Sequence, residues 1–182
     1  MRNYVIGILL ALSVGSLWAQ QFDPAEWTGE YSGIMTLNNA GSAPFTLHID
    51  FTFKELKKDS VWTYTMCYNS DRFGEMVKDY RIIKAPDQDP THFLMDELNG
   101  IVMDLTYLNN GFYEFFEIEG MDGTIFSTVL KKQGDEIFFE IFGSSNIPER
   151  TSHLDASDES PAMDIKSYRP TFSQSVLLKK KR

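Results

Sequence analysis

The sequence predicts an all-β protein, an antiparallel up-and-down β-barrel of about ten strands. Three observations predict it. From Phe45 to Lys54 apolar and polar residues alternate without interruption, the period of a strand with one buried face. Segments rich in β-branched and aromatic residues then recur at short intervals as far as Phe142. Between them stand tight turns such as Asn99-Gly100, Asn110-Gly111 and Gln133-Gly134-Asp135, too short for the helical crossover that parallel strands need.

Each element follows from its own residues. Trp27–Leu37 reads as the first strand. In the second, Phe45, Leu47, Ile49, Phe51 and Phe53 face inward, while Thr46, His48, Asp50, Thr52 and Lys54 face water. A helix would scatter these apolar groups around its whole circumference. Further strands are expected at 61–68, 76–84, 92–98, 101–108, 112–119, 124–132 and 136–142, with Gly120-Met121-Asp122-Gly123 forming another turn. Residues 143–164 are polar and turn-rich and are expected to form a long loop, with room for one short helical turn. A final strand is expected from Ile165 to Leu178, interrupted at Pro170. A two-sheet sandwich competes, but its sheet-switching connections are longer than these turns. Closure removes exposed edges, and at this strand number it can enclose a ligand cavity.

Met1-Arg2-Asn3, the apolar run Tyr4–Leu12 and the segment ending Leu17-Trp18-Ala19 form the pattern of a secretory signal peptide. The run is too short to span a bilayer, which takes roughly 20 apolar residues. The expected organisation is therefore a signal peptide at 1–19 and a single barrel domain at 20–182. The expected location is periplasmic or secreted. Cys67 is the single cysteine, so no intramolecular disulfide can form, and a bacterial envelope is favoured over a eukaryotic secretory route. Cys67 is expected to be a small buried apolar residue.

The net charge of −9 repels phosphate backbones, which argues against nucleic-acid binding. The basic run Lys179-Lys180-Lys181-Arg182 reads as a solvated strand end. No Gly-x-Ser-x-Gly elbow, zinc-type Cys/His spacing or phosphate loop is present. Asp87, Asp89, Asp96 and Glu97 cluster near one loop, and Asp155, Asp158 and Glu159 in another. Neither set has EF-hand spacing, so both read as solvated. The expectation is no catalytic motif, no metal and no cofactor.

Glu26-Trp27-Thr28-Gly29-Glu30-Tyr31-Ser32-Gly33 resembles the first strand of the lipocalin and calycin superfamily, although Ala25 stands where that pattern has Gly. The resemblance implies that Trp27 closes one end of the barrel, that Gly29 lets the strand bend, and that a basic residue of the final strand, here Arg169, packs over Trp27. It also implies a small, mostly apolar ligand in the interior. Nitrobindin-like haem barrels share this first-strand character but require an axial His near the last strands. His48 alternates outward and His153 falls in the long loop, so haem is disfavoured.

The expected interior lining is Phe51, Tyr64, Met66, Met103, Glu114 and Phe116. Glu114 shares a face with Phe112, Phe116 and Ile118. If that face is interior, its carboxyl either gains a raised pKa or pairs with Arg81 or Arg169. If instead the Tyr113/Phe115 face is buried, Glu114 lies in water. Three functions remain open: an exported carrier or sensor of a small apolar ligand, a non-enzymatic envelope protein that binds a protein partner, and a small enzyme using Glu114. Oligomeric state is left open. N-terminal sequencing of protein exported by an expressing bacterium is expected to read from Gln20; a start at Met1 would overturn the signal-peptide reading.

Overall fold

The computed structural model describes residues 21–71, 74–120, 123–156 and 161–182; the expected signal segment lies outside these residues. The chain enters through a one-turn helix, α1 (Pro24–Trp27), and runs through β1 (Gly29–Asn39), β2 (Phe45–Phe53), β3 (Glu55–Lys57), β4 (Val61–Ser70), β5 (Gly74–Lys84), β6 (His92–Asp96) and β7 (Val102–Leu108). It continues through β8 (Gly111–Ile118), β9 (Thr124–Gln133), β10 (Glu136–Ser145), the pair β11 (Arg150–Leu154) and β12 (Met163–Ser167), and β13 (Pro170–Lys180).

Every pairing is antiparallel. From β4 to β10 each strand pairs with the next in sequence, β13 joins β10 to β1, and β1 pairs with β2. The register from His48↔Asn69 to Thr52↔Thr65 then joins β2 to β4 and closes ten strands into a barrel. The three-residue β3 only extends the β2 line along the start of β4. The predicted fold class, an antiparallel up-and-down barrel, is what the chain forms.

Alternation assigns the faces. Tyr31 and Met35 of β1, Ile49, Phe51 and Phe53 of β2, Trp62, Tyr64 and Met66 of β4, Phe93 and Met95 of β6, and Ile137 and Phe139 of β10 are buried in one interior. Gly33 lets β1 lie close to β13. A Cβ there would lie 2.6 Å from the Leu177 carbonyl oxygen and 2.7 Å from Val176 Cγ2, so a side chain would wedge the two backbones apart.

Several expected elements are corrected. Trp27 is not the start of a strand but the last residue of α1. Asp23 Oδ1 caps that turn by accepting from the Ala25 N–H at 2.9 Å, and Pro24 supplies the fixed φ of a first helical position. The turn before β8 is Asn109-Asn110, both at positive φ, and Gly111 already pairs with Leu108. Such a two-residue turn matches the twist of the flanking strands. The region 143–164 is not simply a loop: β10 runs on to Ser145, and β11 pairs with β12 from Arg150↔Ser167 to Leu154↔Met163. The expected final strand is two strands, because β12 belongs to this hairpin and β13 to the barrel, with Tyr168-Arg169 between them. Cys67 is half-buried on the outer face of β4 rather than in the core.

Trp27 is fully buried at one end of the barrel, so Trp27→Ala is expected to lower unfolding free energy in urea by about 4 kcal/mol. Phe115→Ser, at an exposed outer position, is expected to change it by about 0.5 kcal/mol or less.

Candidate functional site

The two ends of the barrel differ in what fills them. At the α1 end, Phe22 enters from outside the strand set. Its ring centroid lies 5.0 Å from that of Trp62, 5.1 Å from Phe112, 5.2 Å from Tyr107 and 5.4 Å from Phe93. Trp27 adds contacts to Phe53 and Phe112 at 5.8 and 5.3 Å, and Tyr31 Oη donates to the Trp27 carbonyl oxygen at 2.8 Å. Edge-to-face and tilted aromatic packing of this density closes the end.

Arg169 does not pack over Trp27. β1 and β13 are antiparallel, with Tyr31 opposite Lys180 and Asn39 opposite Phe172, so Arg169 lies at the opposite end and is exposed. The cations at the α1 end are lysines beside Tyr31. Lys132 Nζ and Lys180 Nζ lie 5.6 and 5.9 Å from the Tyr31 ring centroid. Lys132 is buried, which lowers its pKa, and its ammonium donates to the Gly134 carbonyl oxygen. The tail is therefore partly built into the fold, with Lys179 and Lys180 in β13 and the Lys181 N–H donating to the Glu30 carbonyl oxygen at 2.7 Å. Gly29 faces Lys180: a Cβ there would lie 2.6 Å from Lys180 Cε.

The other half of the interior is less densely filled. Leu37, Leu47, Tyr68, Tyr80, Met103 and Ile141 line it and are only partly buried. Tyr64 and Tyr80, opposite each other on β4 and β5, stack with centroids 6.2 Å apart at 16°. Phe51 meets the Tyr64 ring edge-on at 5.2 Å. On the far wall Phe116 stacks on Phe126 at 4.9 Å and 12°. Lys78 Nζ lies 5.7 Å from the Tyr80 centroid, towards the mouth.

Glu114 stands in this half. It is 8 % exposed, pairs across β8–β9 with Thr128, and its Oε1 is buried with no hydrogen-bond partner. Burial pushes its pKa up to about 7; Thr128 partly offsets this, and the nearby charge of Glu97 adds to it. The Tyr64 and Tyr80 hydroxyls are raised too, chiefly by burial and further by the Glu114 charge. Neither expected cation reaches Glu114. Arg81 lies on the outer parity of β5 and donates to Asp79 Oδ1 at 2.7 Å, and Arg169 is exposed. A carboxyl poised near neutrality can hold or release a proton, or accept a bond from a group brought in from outside.

Of the residues read from the sequence, Phe51, Tyr64 and Met66 are buried interior residues, Glu114 is interior and buried, and Met103 and Phe116 are interior and half-exposed. The residues missed are Tyr68, Tyr80, Lys78, Glu97 and Thr128. Parity alone would have found Tyr68, which follows Tyr64 and Met66 on β4. Tyr80, Lys78, Glu97 and Thr128 needed the register. The histidines lie elsewhere. His48 is exposed beside Asp50, His92 lies between Asp87 and Asp104, and His153 is in β11 against Asp164.

A closed, antiparallel, up-and-down barrel of ten strands has the lipocalin-like, calycin-type fold. No protein-family model matches the sequence, and no curated protein is significantly similar to it. Solved structures do match. Rv2717c from M. tuberculosis aligns over 87 % of this chain and 94 % of its own, at 14 % identity and a TM-score of 0.50. The S-type phycobiliprotein lyase CPES from Guillardia theta aligns over 87 % and 90 %, at 6 % identity and a TM-score of 0.59. At these identities the similarity is one of fold. Among the described residues no helix is long and apolar enough to cross a membrane.

Glu114 makes stability depend on pH. Its folded-state pKa of about 7 lies above its ordinary 4.5, so the folded chain holds more protons between these values and stability falls as pH rises through them. The loss amounts to roughly 3 kcal/mol and levels off above neutrality. His92, raised by Asp87 and Asp104, also loses its contribution as pH rises, through its own raised pKa. Urea denaturation between pH 5 and 8 is therefore expected to show a steeper fall in wild type than in Glu114→Gln, with the variant the more stable at pH 8. Parallel curves would overturn the assignment.

Proposed function

We propose that this chain is an exported, lipocalin-like binding protein that takes a small, mostly apolar ligand into the open half of its barrel. The observation that carries this reading is the buried, unpartnered Glu114 Oε1, aimed into an interior whose lining residues there are only partly covered. Among the described residues the other buried side-chain groups without a partner are the Trp27 and Trp62 indole N–H groups at the sealed end, and Glu114 is the one that is ionisable. Convergent polar groups in a concave apolar setting are what ligand sites of this kind contain. The fold shared with a phycobiliprotein lyase supports a role for the interior without naming its occupant. Export is supported by the Met1–Ala19 pattern.

A second reading, an envelope protein that binds a protein partner, is favoured by the outer face of β8–β10. Phe115 is 74 % exposed, and Phe142, Tyr168, Ile125 and Pro170 line a groove of about 290 Å³ beside it. Apolar surface of this kind marks interaction sites.

Titration with the apolar fluorophore Nile red separates the two. Saturable one-to-one binding is expected in wild type. Met103→Trp, which fills the open half, is expected to weaken it at least tenfold, a difference of about 1.4 kcal/mol. Phe115→Ser is expected to leave it unchanged. If Phe115→Ser abolishes binding and Met103→Trp does not, the outer face is the site and the interior reading falls.

A further inference from the structure

The open half of the interior carries a distinctive set of polar groups. On β8 and β9 these are Glu114 and Thr128. Tyr64 and Tyr68 come from β4, and Tyr80 and Lys78 from β5. Glu97 follows β6 at the inward parity of Phe93 and Met95, and its charge acts on both Glu114 and Tyr80. The remaining walls present Leu37 and Leu47 from β1 and β2, Met103 from β7, and Ile141 and Gln174 from β10 and β13. Among the described residues this half of the interior therefore holds two carboxyls, one rim ammonium, a stack of tyrosines and otherwise uncharged walls.

A ligand that satisfies Glu114 Oε1 must bring a hydrogen-bond donor, because the orphaned atom is an acceptor whenever the carboxyl is ionised. A carboxylate or phosphate head is disfavoured, since it would meet two like charges where water is scarce. A hydroxyl can donate but leaves the carboxylate's charge uncompensated. An ammonium supplies both donor and charge, in a charge-assisted bond roughly twice as strong as a neutral one. The tyrosine faces favour it as well, because ring quadrupoles attract cations. The chain's own Lys78 ammonium, 5.7 Å from the Tyr80 centroid, already places a cation on that stack.

We propose that the open half of the barrel selects amphiphilic primary amines, with the hydrocarbon against Met103, Phe116 and Ile141 and the ammonium on Glu114 among Glu97, Tyr64 and Tyr80. This rests on the interior-binding reading above and adds the chemistry of the head group. Binding draws Glu114 into its ionised form, so near neutrality the proton it carries is released to solvent; affinity for the amine rises with pH until Glu114 is ionised in the free protein, levels off, and falls where the amine itself deprotonates. The acidic chain as a whole also attracts cations, but that long-range field is screened by salt. It does not depend on Glu114 alone.

The test is calorimetric titration at physiological ionic strength with decylamine, decanol and decanoate, each below its micellar concentration, on wild type and on Glu114→Gln. Decylamine is expected to bind wild type at least tenfold tighter than decanol, with decanoate weakest. Glu114→Gln is expected to lose the amine preference, binding decylamine no tighter than decanol. Repeating the decylamine titration at pH 6.5 in buffers of different ionisation enthalpy is expected to report proton release in wild type and none in the variant. Decanol binding as tightly as decylamine, or an amine preference that survives Glu114→Gln, would overturn the inference while leaving the interior-binding reading intact. If none of the three probes binds, both fall together.

Discussion

Once β2 pairs with β4, the ten barrel strands have no free edge, and each must commit one face to an interior shared by all of them. This constraint governs everything else. It turns a local property, the alternation of residues along a strand, into a global one, because shifting any strand by one residue would exchange its inner and outer faces. It also brings residues far apart in sequence into one enclosure. Glu114 of β8 acts on Tyr64 of β4 and Tyr80 of β5 only because the sheet curves back on itself. Gly33 is part of the same geometry, since β1 could not approach β13 so closely with a side chain at that position.

A closed barrel of this size has more interior than its strands fill evenly, and the chain treats the two ends differently. At one end Phe22 and Trp27, neither of them on a strand, are packed in among Trp62, Phe93, Tyr107 and Phe112. Tyr31 ties that plug to β1 through the Trp27 carbonyl, and two lysines approach the ring of Tyr31. At the other end no such segment enters among the described residues. The strand residues of the β11–β12 hairpin are all exposed. The sealed end thus supplies rigid hydrophobic anchorage, and the open end retains inward side chains that solvent can reach. Sites built on such a scaffold hold their geometry better than sites on loops.

How far the sequence could go follows from what each signal depends on. The Phe45–Phe53 run was legible because its two faces differ sharply, and the meander was legible because its turns are short. The Phe112–Ile118 run was not resolved, because aromatic residues stand on both faces and a period of two cannot choose between them. The pairing Glu114↔Thr128 and the 74 % exposure of Phe115 settle it. Arg169 was misplaced because a position early in the last strand was matched to one early in the first, whereas antiparallel strands put those positions at opposite ends. The Asp23-Pro24 cap and the β11–β12 hairpin went unread for a different reason. Both are short, and their polar residues also suit a loop.

Glu114 is the place where the local rules of folding are broken. Every other inward position near it is apolar, aromatic or able to share its hydrogen bonds, whereas this carboxyl is desolvated and one of its oxygens has no partner. An apolar residue of similar volume would remove the desolvation penalty and the pH-dependent loss of stability together. A penalty of that kind, carried by an ionisable group in the half of the barrel away from the aromatic plug, is expected where stability is given up for binding. It also couples the two properties. A ligand that provides the missing donor stabilises the folded chain by mass action, and most strongly where the carboxyl is ionised and the unliganded protein is weakest. The same desolvated oxygen that lowers stability above neutrality is therefore what a donor-bearing ligand would satisfy.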